Sequence, residues 1–255
     1  MRLADIDPDT IDNARAYLAQ VVTRQSLNAL RSARRRREQY VGNWLPEPVR
    51  TEPDAGSDLL LAESVSVAML LVLETLGPDE RAVFVLREVF GFGHTEIAAS
   101  IGRSVAATRQ IAHRAREHVH ARRKRFDPPS ESAREVAARF LAVSTTGDIQ
   151  ALMDMLAPDA VELSDGGGVV SAARRPIVGA EKIARFLGGL AARGLPDMRL
   201  EQSTFNVLPA MIVYSRGEID LVMMIEVTGG KVSGVYLVRN PDKLVAVADT
   251  LPLAR

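Results

Sequence analysis

The run Thr95-Glu96-Ile97-Ala98-Ala99-Ser100-Ile101-Gly102-Arg103-Ser104 leaves the chain around it little conformational choice. Ile97, Ala98 and Ile101 fall at helical spacing, Gly102 supplies a tight left-handed turn, and Ser104 is placed to cap a second helix. The small side chain of Ala98 lets two helices approach closely. A short helix, a glycine turn and a capped long helix, here Val105 to about Arg123, make a helix-turn-helix. In this motif the first turns of the second helix enter the major groove of DNA. The spacing aims Val105, Ala106, Thr108, Arg109 and Gln110 at base edges and Arg103, Arg114 and Arg116 at phosphates, and Ser104, the cap, is grouped with them on the DNA-binding surface. Arg to guanine and Gln to adenine are the favoured bidentate pairings.

Charge supports a nucleic-acid partner locally but not globally. Lys and Arg number 32 and Asp and Glu 32, so the whole chain carries no basic excess. Residues 103–125 nevertheless hold eight basic residues and one acid, Glu117. Residues 13–37 hold seven Arg and no acid. Two basic segments on a balanced chain are the footprint a phosphate backbone selects. The competing reading is two solvated helix faces.

The first basic segment is predicted helical from Asp12, its N-cap, to about Glu38, with Ala14, Tyr17, Leu18, Val21 and Val22 as the apolar side. Thr23, Arg24, Asn28, Arg31 and Arg35 fall on another side and form one polar stripe able to lie against DNA. A turn at Val41-Gly42-Asn43 leads into Trp44-Leu45-Pro46-Glu47-Pro48, where two prolines forbid a helix. Residues 46–58 are rich in Pro, Gly, Ser and acids and read as a linker. Helices are expected from Asp58 to Leu76 and from Pro78 to Phe90. Asp127-Pro128-Pro129-Ser130 marks a second boundary.

Beyond it the pattern changes to helices at 131–145, 149–156 and 180–191, a strand at 160–163, and three strand-like runs. These runs are 198–208, 211–214 leading towards 225, and 231–239, with Gly229-Gly230 as a hairpin turn. A small α+β domain with a curved sheet wrapping its helices fits this order. Cysteine is absent, which excludes disulfides, thiolate zinc sites and cysteine nucleophiles. His94, His113, His118 and His120 lack metal-ligand spacing, so neither metal nor cofactor is expected. No apolar run approaches the roughly 18 residues of a membrane span, and the start MRLADIDPDT is unlike a signal peptide, so a cytoplasmic location is expected.

These residues carry a family likeness. Residues 13–123 resemble an extracytoplasmic-function (ECF) sigma factor of bacterial RNA polymerase: the Ala14–Arg24 segment and its Arg cluster resemble the later part of region 2, and residues 75–120 resemble region 4. Residues 131–247 resemble the SnoaL-like, NTF2-fold domain that one ECF subfamily carries as a C-terminal extension. Three motifs of that subfamily occur in order: Trp44-Leu45-Pro46-Glu47-Pro48, Asp165-Gly166-Gly167-Gly168 and Asn240-Pro241-Asp242-Lys243-Leu244. The resemblance implies an all-α partial region 2 at 1–45, a linker at 46–62, region 4 at 63–127 and an α+β SnoaL-like domain at 128–255. Core RNA polymerase and promoter DNA are the implied partners, with region 2 on the −10 element and region 4 on the −35 element. The extension is implied to regulate in cis, its three motifs serving as docking elements between domains. Two departures stand out: residues 1–12 match only the trailing edge of the early, polymerase-binding part of region 2, and Val169 stands where the subfamily's glycine motif is followed by Lys.

Two other readings remain open. The C-terminal pocket could hold a small-molecule ligand that tunes DNA binding without polymerase. Alternatively the cone could be an isomerase-like enzyme, with Asp165 as acid/base beside Tyr214 or Tyr236. Against the latter, Asp165 and its glycines would form a turn at the cone mouth, the carboxylate binding local N–H groups.

Overall fold

A computed structural model describes residues 17–18, 20–28, 42–51, 66–122 and 129–248. The chain divides into two compact units, Met1–Gln39 with Val72–Lys124, and Tyr40–Leu71 with Arg125–Arg255.

In the first unit, residues 20–28 are helical. Helix α1 (Val67–Glu74) crosses the division, and α2 (Pro78–Phe84) follows. Pro78 suits the first turn of α2, and Glu80 reaches back to accept the Gly77 N–H at 3.1 Å. The sequence predicted one regular helix to Phe90, but residues Val85–Val89 widen into a π-turn, with Phe90 N–H donating to the Val85 carbonyl. Helices α3 (His94–Ile101) and α4 (Val105–Arg122) form the helix-turn-helix. Gly102 ends α3 at φ +68°, a left-handed conformation that costs glycine little. Ser104 Oγ accepts from the Ala107 N–H at 3.2 Å and so opens α4. Val83, Ile97, Ile111 and Ala112 form the core, with Leu86, Phe92 and Ile101 packed against it.

The second unit is α+β. Helices α5 (Glu131–Ser144) and α6 (Ile149–Met155) are capped by the side chains of Ser130 and Asp148. Strands β1 (Leu156–Asp165) and β2 (Ile177–Val178), helix α7 (Ala180–Arg193), and strands β3 (Arg199–Phe205), β4 (Leu208–Ser215), β5 (Glu218–Thr228) and β6 (Lys231–Val238) follow. Sheet order is β2-β1-β6-β5-β4-β3; β1 and β6 run parallel and every other pair antiparallel. Helix α8 (Pro241–Leu244) and a 3-10 turn (Val245–Ala248) complete the described chain.

The sequence reading carried its first run through Asn206-Val207 to 208 and merged β4 with β5 across Arg216-Gly217, whereas the structure turns a hairpin at each place. All four turn residues have positive φ, as the reverse-twisted turns of tight hairpins require. Val207, at φ +61°, is a β-branched residue that gives no turn signal, so this turn was hidden.

Both faces of the sheet are covered. Along β5, Leu221, Met223 and Ile225 face the helices with Phe140, Leu152, Ile183 and Leu187. Val222 and Met224 face the opposite way, with Leu45, Val67, Tyr236, Leu244 and Val247. This double burial accounts for the unbroken run Leu221-Val222-Met223-Met224-Ile225, where a half-exposed strand would alternate. Met223 and Met224 are core residues.

Candidate nucleic-acid interface and linker node

The helix-turn-helix exposes most of the residues its sequence pattern assigned to DNA. Arg103, Ser104, Ala106, Arg109, Gln110, Arg114 and Arg116 are exposed, and Val105 is half-buried. Thr108 is the exception, with no solvent exposure and its hydroxyl bonded to the Ser104 carbonyl at 3.0 Å. The inward stripe of α4 runs through Thr108, Ile111, Ala112, Ala115 and Val119, so helical periodicity turns Thr108 towards the core. It is therefore not a base-contacting residue. Thr23 requires the same correction: it is buried one turn from buried Leu27, while Arg24 and Asn28 are exposed beside it. Arg31 and Arg35 lie outside the described residues.

The arginines fall into two classes. Arg103 pairs with Asp79 at 2.7 Å and Arg116 with Glu88 at 2.6 Å, so an acid partner engages each of these exposed guanidinium groups. No ion pair with the described residues engages Arg109 or Arg114. Around His94, at the start of α3, the charges of Arg87, Arg109 and Arg116 converge. Desolvation first, then these three arginines, hold the His94 imidazole below its ordinary range, with Glu88 opposing. Arg87 stands in the π-turn, where its guanidinium donates to the Phe92 carbonyl at 2.9 Å, and His94 is the first residue of α3.

In the C-terminal unit the three short motifs meet. Asp165, at the end of β1, is completely buried. Its Oδ2 accepts from the Leu45 N–H and from Lys243 Nζ, both at 2.8 Å, and its Oδ1 accepts from the Gly167 N–H at 3.0 Å. Lys243 Nζ also donates to the Leu45 carbonyl and sits 4.3 Å from the Trp44 ring centroid. A charged pair thus holds both backbone groups of Leu45. Asn240 caps α8 by accepting the Asp242 N–H at 3.1 Å. A Cβ on Gly167 would lie 2.6 Å from the Asn240 side chain, and one on Gly166 would lie 2.4 Å from the Val170 carbonyl oxygen. Those two glycines are required by close approach, which gives the glycine motif a steric meaning. Gly168 is exposed, as is Val169.

The proline-bounded segment lies extended across the sheet. Leu45, Pro46 and Pro48 are buried, Glu47 points outward, and Trp44 is half-buried. Further along, the Asn206 side chain accepts the Val49 N–H at 3.1 Å, Thr51 N–H donates to the Thr204 carbonyl, and Arg50 bridges to Phe205. Residues 42–51, divided by sequence between region 2 and linker, therefore pack as part of the C-terminal unit. Pro241 and Asp242 are exposed, whereas Lys243 and Leu244 are buried.

Asp165 behaves as the turn reading anticipated, binding the Gly167 N–H. Tyr214 donates to Glu201 and Tyr236 to Glu226, so both tyrosines weighed as its partners are directed to other carboxylates. Among the described residues, no helix is long and apolar enough to cross a membrane.

Comparison with known proteins agrees with both halves. Residues 66–119 match the family model for Sigma-70, region 4. The ECF RNA polymerase sigma factor SigJ of Mycobacterium tuberculosis is 38% identical over 251 residues, covering 92% of this chain and 80% of that protein. A probable ECF sigma factor, SigI, from the same species is 30% identical, with 92% and 79% covered. The crystal structure of SigJ superposes with a TM-score of 0.71 at 32% identity, over 93% of this chain and 84% of that one. A region 4 fold, a relative matched across both units and three motifs converging on one buried pair lead to one conclusion: this chain belongs to the ECF sigma factors of bacterial RNA polymerase.

Proposed function

We propose that this sigma factor binds core RNA polymerase and directs it to promoters, and that its SnoaL-like unit controls this activity in cis by holding the linker. Arg24 and Asn28 supply polar groups for a melted −10 strand, and the exposed first turns of α4 supply the −35 contacts. The observation that carries the regulatory part is the grip of Asp165 and Lys243 on the Leu45 backbone. A linker bound along the sheet has fewer conformations open to it, so its docking restricts where the segments it joins can move. This role needs no catalytic residue.

The test is run-off transcription with core polymerase and the full chain. Promoter-specific transcripts are the expected result; DNA binding without polymerase binding would favour a polymerase-independent regulator. Within this reading Arg109→Ala is expected to cost about 1–3 kcal/mol at one position of the −35 element. Competition binding against single-base variants of that element measures it. A uniform loss across all sequences would instead assign Arg109 to a phosphate.

A further inference from the structure

The core between the sheet and its helices holds a carboxyl group that neither the linker node nor the DNA surface uses. Glu162 lies on β1 opposite Val235 of β6 and Ile177 of β2, both members of the helix-facing apolar cluster. Residues directly opposite in a ladder share a face, so Glu162 points towards the helices. It has no solvent exposure. Ser164, two residues on and so on the same face, donates its hydroxyl to Oε1, while Oε2 is buried without a hydrogen-bond partner.

No charge faces it. On α7 the inward residues are Ile183, Ala184 and Leu187, while Glu181, Lys182, Arg185 and Arg193 are exposed. On α5 Glu131, Arg134, Glu135 and Arg139 are exposed, as are Asp154 on α6, Asp159 on β1 and Lys231 on β6. Strand β2 carries no titratable residue, and Tyr236 lies on the other face of β6. On β4 and β5 the residues that face the helices, Met211, Val213, Leu221, Met223 and Ile225, are apolar.

We infer that Glu162 makes the C-terminal unit a proton-sensitive module, most stable with this carboxyl neutral and loosened when the proton leaves. The physical reason is that an ionised carboxylate loses its hydration here and recovers one hydrogen bond. Burial raises its pKa from 4.5 to about 7, against the opposing effect of the Ser164 hydrogen bond. In the unfolded chain the same group titrates near 4.5, so between 4.5 and about 7 the folded unit holds more protons. Stability is therefore full below the unfolded value and is lost as pH rises through the folded one. The four histidines, at 94, 113, 118 and 120, all belong to the other unit, so none within this unit contributes a competing transition.

The single Trp, Trp44, is packed in this unit and reports its unfolding. Urea unfolding of the full chain, followed by Trp44 fluorescence from about pH 5 to pH 8.5, should show the unfolding constant rising by up to about tenfold per pH unit and levelling above neutrality. Glu162→Gln keeps the shape, removes the titration and should flatten that rise. An infrared carboxyl band present in the wild type near pH 6 and gone by about pH 8 reads the same proton directly, and should be missing from the variant. An equal pH slope in wild type and Glu162→Gln would overturn the inference, as would no protonated-carboxyl band near pH 6.

Discussion

Replacing Lys243 by alanine should destabilise the C-terminal unit by about 3–5 kcal/mol, because it strands a buried charge. Asp165 has no exposure, and the Lys243 side chain is 9% exposed, so solvent cannot replace the lost partner. A surface pair of equal length would contribute about 1 kcal/mol or less. Lys243 also bonds the Leu45 carbonyl, so its loss removes an attachment of the linker as well as an ion pair. Two measurements separate these effects. Urea unfolding monitored at Trp44 gives the stability, and limited proteolysis reports whether residues 42–51 become cleavable. Both should move together in Lys243→Ala. In the double variant Asp165→Asn with Lys243→Met no charge is stranded, so much of the stability should return while the linker stays less protected. Wild-type stability in Lys243→Ala would show that the pair does not organise the linker.

The convergence of these residues was only partly legible in the sequence. The order of the three motifs was visible, and so was the need for rigid prolines beside Trp44. That Asp165, Lys243 and Leu45 share one set of hydrogen bonds was not, because they lie 120 and 198 positions apart along two of those bonds. Periodicity reports which face a residue occupies within one element, and nothing about pairing across elements. Glu162 shows the limit from another direction. An acid within a strand normally marks the solvent face, but here the linker and the C-terminal turn cover the far side of the sheet, so neither face is solvated. Helix positions were clear wherever a cap or glycine marked the end, as at Ser104, Ser130 and Gly102. They were misjudged at Val85–Val89, where a π-turn leaves the hydrophobic pattern intact. Thr108 was misassigned because polarity was given more weight than its place one turn before buried Ala112.

The second large effect is expected at Ile97. This residue is fully buried in α3 and packs with Val83, Ile111 and Ala112, the centre of the helix-turn-helix. Ile97→Ala should cost about 2–5 kcal/mol, the lost transfer free energy plus a cavity that rigid neighbours fill only in part. Several of the other buried residues of the two helices are small, Ala98, Ala112 and Ala115 among them, so α3 and α4 should no longer be held at the angle that Gly102 and Ala98 permit. Binding of a fluorescent −35 duplex should then fall below that of Arg109→Ala, although Ile97 has no surface with which to touch DNA. Ile97→Val removes one methylene and should cost about 0.5–1.5 kcal/mol. A graded series, with DNA affinity following the helical melting signal, is the signature of packing acting through geometry. Unchanged melting and unchanged affinity in Ile97→Ala would mean that the recognition helix is positioned by something other than this core.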